Sequence, residues 1–324
     1  MACVSKYLNN KPYVSKKTKK KIQKAIEELN YRPSAIARSL VSKKTKNIGV
    51  IVLDITNPYQ TEIIKGIEEY KTMHNLDYNI LLIDMSTKEG LGDKYFDVLL
   101  ENRVAGIATT SDKISPKYVK FLTKINVPTI FIGRLVDVPD IEINYVTLDN
   151  KKGAKDMTNY LLEMGHRKIF YFTGPLDTNV TTERLKGYEE AISEFEGEKI
   201  KPWISDSGDF TCEAGYKTAE KVFSFNERPS AIFCANDYSA FGVIDYCYKH
   251  NIKIPEDISI AGFDDVAFSS LGFISLTTVR QPIKKIGIIS AESLFKKIKD
   301  NTIEPIQIVV EPEIVIRRST GAVK

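Results

Sequence analysis

Residues 47–71 read NIGVIVLDITNPYQTEIIKGIEEYK. An apolar run of strand length, NIGVIVLDI, meets a turn signal and passes into a helical stretch, PYQTEIIKGIEEYK. The same alternation continues downstream: the runs YNILLIDM, AGIATT and VPTIFIG are interleaved with the helical stretches KYFDVLLEN and KYVKFLTKIN. Strand and helix in alternation predict a parallel α/β unit, whose strands are covered on both faces. After INYVTLDN the pattern restarts, with helices KKGAKDMTNYLLEMG, TERLKGYEEAISEF, EAGYKTAEKVFS and DYSAFGVIDYCYKH between strands KIFYFTG, KPWIS, SAIFCAN and DISIAGFDD. Two similar halves follow. Ligands in such sheets lie beyond the carboxyl ends of the strands, and two such domains set face to face make a closable cleft. LTTVRQ, the helix IKKIGIISAESLFKKIKD and the strand-like PIQIVVEPEIVIRRS complete the chain.

Bulk properties narrow the class. A chain of 324 residues with 43% hydrophobic content has room for substantial cores, and that length allows about two or three units. Its apolar runs fall short of the roughly 18 residues a membrane span needs, and the N-terminus carries no apolar signal core. A cytoplasmic location without membrane partners is the expectation. Cys3, Cys212, Cys234 and Cys247 are scattered without CxxC spacing, so neither a zinc site nor a disulfide framework is indicated. The thiols read as buried filler, and no cofactor is expected.

Charge is unevenly divided. Residues 1–46 hold 13 Lys/Arg against two Glu, a net of +11, while the remainder holds 33 against 40, a net of −7. A block of that kind is either a solvated arm or a polyanion binder. Periodicity decides between them. In SKKTKKKIQKAIEELNY the apolar positions Ile22, Ala25, Ile26 and Leu29 form one stripe of an amphipathic helix, with lysines on the other faces. Ser15 stands where an N-cap belongs, and its hydroxyl, with that of Thr18, can also reach a phosphate. Upstream, Val4, Tyr7 and Leu8 offer a second short apolar face before the turn-forming NNKP. Two short helices rich in Lys, Ser, Thr and Asn suit a nucleic-acid duplex better than a membrane.

NYRPSAIARSL, residues 30–40, separates this basic segment from the α/β region. Pro33 ends the preceding helix, Ser34 can cap the next one, and Ala35, Ile36, Ala37 and Leu40 permit about two helical turns. A helix that short is unstable alone in water and forms only against a partner. Such a segment reads either as a hinge that folds on binding or as an ordinary interdomain linker.

Enzyme signatures are weak. No GxGxxG follows the first strand, no GxxxxGK[ST] or GxSxG occurs, and His74, His166 and His250 show no HExxH spacing. His166, in EMGHRKI, reads as a structural turn residue. Asp264 and Asp265 resemble an acid/base pair, but adjacent residues after a strand point to opposite sides, so ligand hydrogen bonding or a helix cap is the better reading.

Taken as a set, VSKYLNNKPYVSKKT, AIEELNYRPSAIARSL, IGVIVLDITNPY, GHRKIFYFTGP, ERLKGY, CANDYSAFGV, ISIAGFDD and LTTVRQP resemble the bacterial transcription regulators of the lac repressor and purine repressor type. Each motif is weak alone. Their order and spacing along essentially the whole chain make the resemblance specific. It implies an α/β architecture in which a partial helix-turn-helix headpiece (residues 1–33) and a hinge helix with linker (34–46) precede a two-lobed periplasmic-binding-protein-like core (47–324). Within the core, the resemblance places an N-subdomain at about 47–146 plus a crossover segment at about 277–304, and a C-subdomain at about 147–276 plus 305–324.

Further implications concern function. The family's recognition helix corresponds to the stretch from Met1 to about Asn9, where Lys6 matches a base-reading position and Ser5 and Asn9 match phosphate contacts. Tyr13, Ser15 and Thr18 match backbone-proximal positions. The segment containing Ser34, Ala37, Arg38 and Leu40 matches a hinge helix that pairs with its dimer mate in the minor groove: Leu40 wedges a base step, Ala37 keeps the paired helices close, and Arg38 reaches phosphate or groove edges. Family members begin earlier, with a first helix and turn that brace the recognition helix, so the expectation is that the start site is assigned too late or, alternatively, that this is a truncated regulator with weakened or lost DNA binding, and that the headpiece of this chain is loose. In the core, Tyr59 matches a ring-stacking position, Phe210 an aromatic wall, Arg184 a bidentate ligand-gripping arginine, Asn236 and Asp264 polar ligand contacts, and Arg134 and Asp149 positions at the cleft or crossover. The implied partners are double-stranded operator DNA, a second copy of the chain, and a small effector, a sugar or sugar derivative ahead of a purine. Effector occupancy is expected to alter the angle between the core domains and so the folding of the hinges on DNA, with either sign. The competing classes are a solute-binding protein of the same core fold and an α/β enzyme such as a sugar kinase, which would need a phosphate-cradling loop.

Overall fold

Ser15 is the N-cap of the first described helix, α1 (Lys16–Glu28), its Oγ accepting from the Thr18 amide at 3.2 Å and lying 2.9 Å from the Thr18 hydroxyl. One of the amides that a helix start leaves open is thereby satisfied. The computed structural model describes residues 15–29, 45–86, 92–133, 135–197, 199–205 and 208–323, and the chain divides into two compact units, 1–46 and 47–324. In the first unit Ile22 is buried and Ile26 half-buried, with Lys17, Lys19, Lys20, Lys21 and Lys24 exposed. The expected four-residue stripe is narrower than its spacing suggests. Ala25 is exposed, and Leu29, 77% exposed, is the C-cap whose amide bonds back to the Ala25 carbonyl, so it closes the helix instead of entering a core.

The second unit holds two six-stranded sheets. The first has the order β11-β5-β4-β3-β1-β2 and is parallel throughout: β1 (Asn47–Val52), β2 (Asn79–Asp84), β3 (Ile107–Thr109), β4 (Thr129–Ile132), β5 (Asn144–Leu148) and β11 (Gln307–Val310). Strand alternation sends β1 residues to opposite faces. Ile48, Val50 and Val52 join a core with α2 (Pro58–Met73) and α9 (Ile283–Lys299), whereas Ile51 joins another with α3 (Gly92–Glu101) and α4 (Pro116–Lys124). Each aliphatic side chain buried in this way stabilises the lobe by roughly 1.5–3 kcal/mol.

The second sheet repeats the plan with the order β12-β10-β9-β8-β6-β7: β6 (Ile169–Phe172), β7 (Trp203–Ile204), β8 (Ala231–Cys234), β9 (Ser259–Asp264), β10 (Thr277–Arg280) and β12 (Glu313–Val315). Its strands run parallel apart from β12, which is antiparallel to β10. Ile169 and Tyr171 of β6 pack with α5 (Asn150–Glu163) and α6 (Asn179–Glu194), and Phe170 and Phe172 with α7 (Cys212–Phe223) and α8 (Asp237–Lys249). No helix among the described residues is long and apolar enough to cross a membrane.

Subdomain boundaries differ from those expected. The chain passes from the first lobe to the second after β5, through Asp149 and Asn150, returns after β10, through Gln281 and Pro282, and crosses again between β11 and β12. Residues 277–280, expected in the crossover segment of the first lobe, form a strand of the second sheet, and residues 307–310, expected in the C-subdomain, form the outer strand of the first. The reason lies in PIQIVVEPEIVIRRS: Pro312 has no amide to donate to a ladder, so the apolar run breaks there into two strands that pair in different sheets.

Candidate ligand-binding cleft

A cleft, open at its mouth, is lined by residues gathered around strand ends in both sheets, where ligands of open α/β folds sit. From the first lobe, Asp54 follows β1, Asn57, Tyr59 and Gln60 open α2, Thr110 follows β3, Ile132 ends β4 and Gly133 follows it. Across from them Asn150 follows β5, Arg184 lies on α6, Phe210 and Thr211 precede α7, Asn236 follows β8, Asp264 ends β9 and Gln281 follows β10.

Local structure fixes the two aromatic rings. Asn57 caps α2 by accepting from the Tyr59 amide at 3.0 Å, with Pro58 behind it, so Tyr59 stands in the first helical turn. Gly133, at φ +74°, leaves room for the ring: a Cβ there would lie 2.8 Å from the Tyr59 hydroxyl. Phe210 is seated in the same manner on Gly174, where a Cβ would come within 2.4 Å of the ring. Asn236 holds the Phe210 segment, donating from Nδ2 to the Phe210 carbonyl at 3.1 Å while its Oδ1 caps α8 by accepting from the Ser239 amide at 2.9 Å.

Polar groups are similarly placed. Gln60, only 5% exposed, accepts through Oε1 from the Thr110 hydroxyl at 2.6 Å. Arg184 is buried with its guanidinium carbon 3.6 Å from the Phe263 ring centroid. Its Nε donates to Asn150 Oδ1 at 2.9 Å, its Nη1 donates to the Ala235 carbonyl, and its Nη2 lies 3.8 Å from Asp264 Oδ1. Burial pushes the Asp264 carboxyl well above the usual carboxylate range, against the pull of the nearby Arg184. Behind it, Asp237 accepts from the Ser269 and Thr278 hydroxyls and the Val266 amide, and burial raises its pKa too.

Asp264 and Asp265 have φ of +133° and +57°, a region that side chains other than glycine rarely occupy. The chain turns over between them. Asp264 lines the cavity, while Asp265 points to the opposite side and accepts from Arg280 at 2.7 Å and Arg317 at 2.5 Å.

The cavity therefore brings together Tyr59, Arg184, Phe210, Asn236 and Asp264 of the expected set. Asp149 is not among the lining residues. It is the N-cap of α5, accepting from the Lys152 amide at 2.9 Å, because the first residue after a strand that opens a helix spends its carboxylate on the helix amides; its neighbour Asn150 faces the cavity instead. Arg134 lies outside the described residues, as do Ser5, Lys6, Asn9, Tyr13, Ser34, Ala37, Arg38 and Leu40. Asn57, Gln60, Asn150 and Gln281 were not singled out beforehand, although each stands beside a quoted motif, in NPYQ, LDN or VRQP. His166 is buried away from the cleft, its Nδ1 2.9 Å from the Ser230 hydroxyl and its Nε2 3.1 Å from the Gly321 carbonyl.

Comparison with known proteins adds a second line of observation. Residues 1–34 match the model for bacterial regulatory proteins of the lacI family, and residues 158–320 match that for the periplasmic binding protein-like domain. Catabolite control protein A of Priestia megaterium is 33% identical over 321 residues, covering 99% of this chain and 95% of the relative. The HTH-type transcriptional repressor PurR of Photobacterium profundum is 33% identical over 318 residues, covering 98% and 93%. Among solved structures, the lac repressor dimer bound to operator and the anti-inducer ONPF superposes with a TM-score of 0.84 at 24% identity, covering 99% of this chain and 95% of that one. The complex of the transcriptional regulator CelR with cellobiose has a TM-score of 0.74 at 26% identity, covering 98% and 95%.

Proposed function

The chain belongs to the lacI family of bacterial regulatory proteins, and from that premise we propose that its cleft takes a neutral, hydroxyl-rich ligand of the sugar class. Occupancy of the cleft, in this reading, sets how tightly a homodimer holds operator DNA. As a family member the chain is a DNA-binding transcription regulator with an effector-binding core. What is proposed is the effector's chemistry and the residues that act.

One observation carries the sugar reading: Tyr59 and Phe210, one ring from each lobe, line a cavity otherwise rich in amides and hydroxyls. Rings cover the apolar faces of a pyranose, and amides and hydroxyls meet its edge. Gln60, engaged through Oε1, offers its amide N–H groups from the first lobe, and Gln281, engaged through Nε2, offers Oε1 from the second. Anionic ligands fit less well. Among the described lining residues the ionisable acidic and basic groups are Asp54, Asp264 and Arg184, and Arg184 is committed to Asn150, Ala235 and Asp264. The fold shared with the CelR–cellobiose complex supports the same class. A free purine base is the second reading, favoured by the ring pair, which suits a flat heterocycle.

For DNA, the lysine-bearing face of α1 supports phosphate contact. Ser5, Lys6, Asn9, Tyr13, Ser15 and Thr18 are assigned to the operator, with Ser34, Ala37, Arg38 and Leu40 at the hinge. Calorimetric titration with neutral mono- and disaccharides and with free purine bases separates the two effector classes. Gel shifts at stated salt, on DNA selected from a random pool, then measure operator affinity with and without the binder. Saturable sugar binding that changes operator affinity is the expected result; binding of purines alone would replace the sugar reading.

A further inference from the structure

Two of the interlobe crossovers each contribute one side chain to the cleft, and the two side chains end on the two members of one buried pair, Arg184 and Asp264. Asn150, in the first crossover, accepts from Arg184 Nε at 2.9 Å and donates to the Leu148 carbonyl at 3.1 Å. Gln281, in the second, donates from Nε2 to Asp264 Oδ1 at 2.5 Å and from its amide to the Asp264 carbonyl at 3.1 Å. Arg184 Nη2 and Asp264 Oδ1, 3.8 Å apart, join the halves. All four residues are buried and all four line the cavity. We propose that Asn150, Arg184, Asp264 and Gln281 form a continuous relay that sets the angle between the lobes at both crossovers, and that the effector acts by altering it. The inference rests on the effector reading of this cleft.

The physical argument concerns which link is weak. Two hydrogen bonds in the relay are of normal length and the Gln281–Asp264 side-chain bond is short, whereas the Arg184–Asp264 separation exceeds hydrogen-bond length. A ligand hydroxyl that bridges this gap tightens the relay; one that draws Asp264 or Arg184 aside loosens it. Either way the displacement is delivered to Asn150 and Gln281, at the points where the chain changes lobe. The left-handed backbone at Asp264 and Asp265 lies next to that link. Conformations of that kind persist only when their surroundings over-determine them, so releasing the Gln281 bonds removes part of what holds the turn. Asn150 and Gln281 are thus positioning residues whose effect is read as lobe geometry.

The test uses the ligand-free full chain, with spin labels replacing exposed Lys120 on α4 and Glu220 on α7, in a background carrying Cys3→Ser and Cys212→Ser and diluted with unlabelled chain. Asn150→Leu and Gln281→Met are each expected to broaden and shift the interlobe distance distribution. Asn150→Asp, which retains the acceptor for Arg184, is expected to stay near the parent. Because the relay is one path, Asn150→Leu with Gln281→Met should change the distribution no more than the larger single change. Melting followed by circular dichroism checks folding, and Gln281→Asn, too short to span the bond, stands in if Gln281→Met does not fold. Unchanged distributions in the single variants, or additive changes in the double, overturn the relay. Titration of the same labelled chains with cellobiose addresses the ligand separately: silence to cellobiose alongside the expected variant pattern counts against the sugar class and leaves the relay standing.

Discussion

The Arg184 guanidinium lies over the ring of Phe263, 3.6 Å from its centroid, so an aromatic side chain closes one face of this cation. Stacking of this kind, together with two donated hydrogen bonds and a carboxyl partner, uses the planar fork of arginine in full. Lysine cannot reproduce it.

Arg184→Lys is therefore expected to lower stability by about 2 kcal/mol, the scale of a lost charge-assisted hydrogen bond in a buried setting. Effector affinity should fall by at least about tenfold, since one such bond to the ligand or its neighbours is worth that much. Urea denaturation and calorimetric titration measure the two effects, and a variant with parental values in both would contradict the assigned role.

Gly174→Ala examines how Phe210 is seated. The added methyl would meet the Phe210 ring at 2.4 Å and the Thr181 hydroxyl at 2.7 Å. Overpacking on this scale costs about 1–3 kcal/mol. Because Phe210 borders the cavity, the ring is expected to move and ligand affinity to drop more than the melting temperature does. Affinity equal to that of the parent would show that the ring is not a wall of the site.

Acid stability should depend on His166. Burial holds its pKa below the ordinary value, opposed by its bond to the Gly321 carbonyl. A folded-state pKa lowered beneath the unfolded one means that the unfolded chain takes up the proton first. The stabilisation is complete above the unfolded pKa of about 6.5 and is lost as pH falls through the folded value. His166→Gln is expected to reduce the loss of stability between neutral pH and the acid range. Urea denaturation across that range reads the slope directly; Asp264, whose raised pKa gives the opposite sign, is common to both chains and cancels in the difference.

On the proposed assignment of Leu40 to a DNA-wedging hinge, Leu40→Ser is expected to weaken operator binding by at least about tenfold, because a polar side chain gains little from unstacking a base step whose cost is a few kcal/mol. Effector binding to the core should be unaffected. Gel shifts at fixed salt, paired with calorimetry on the same preparation, separate the two. Equal operator affinity in both chains would remove Leu40 from the DNA interface.

Much of this protein was legible before any coordinates. Continuous apolar runs such as NIGVIV mark strands covered on both faces, and the alternation of such runs with helical stretches predicts both parallel lobes. Tyr59, Arg184, Phe210, Asn236 and Asp264 stand in positions that the family resemblance marks, and the parallel fold gathers them where its strands end, Arg184 reaching in from α6. The fate of Asp149 was less legible than that of Asn150. Both are polar, both follow β5, and a helix N-terminus requires one of them as a cap; the direction of chain entry settles which one turns to the cavity.

By itself, then, the order of residues determined the two α/β lobes, the basic segment ahead of them and the identity of the family, since these depend on periodicity, composition and motif spacing along the chain. Tertiary structure decided which sheet receives residues 277–280 and 307–310, and which amides meet the Arg184–Asp264 pair. Those outcomes depend on pairings between segments that are distant in the chain. Asn150 and Gln281 acquire their positions only when both lobes have formed and the crossovers lie side by side, a condition set by packing and hydrogen bonding across the whole core.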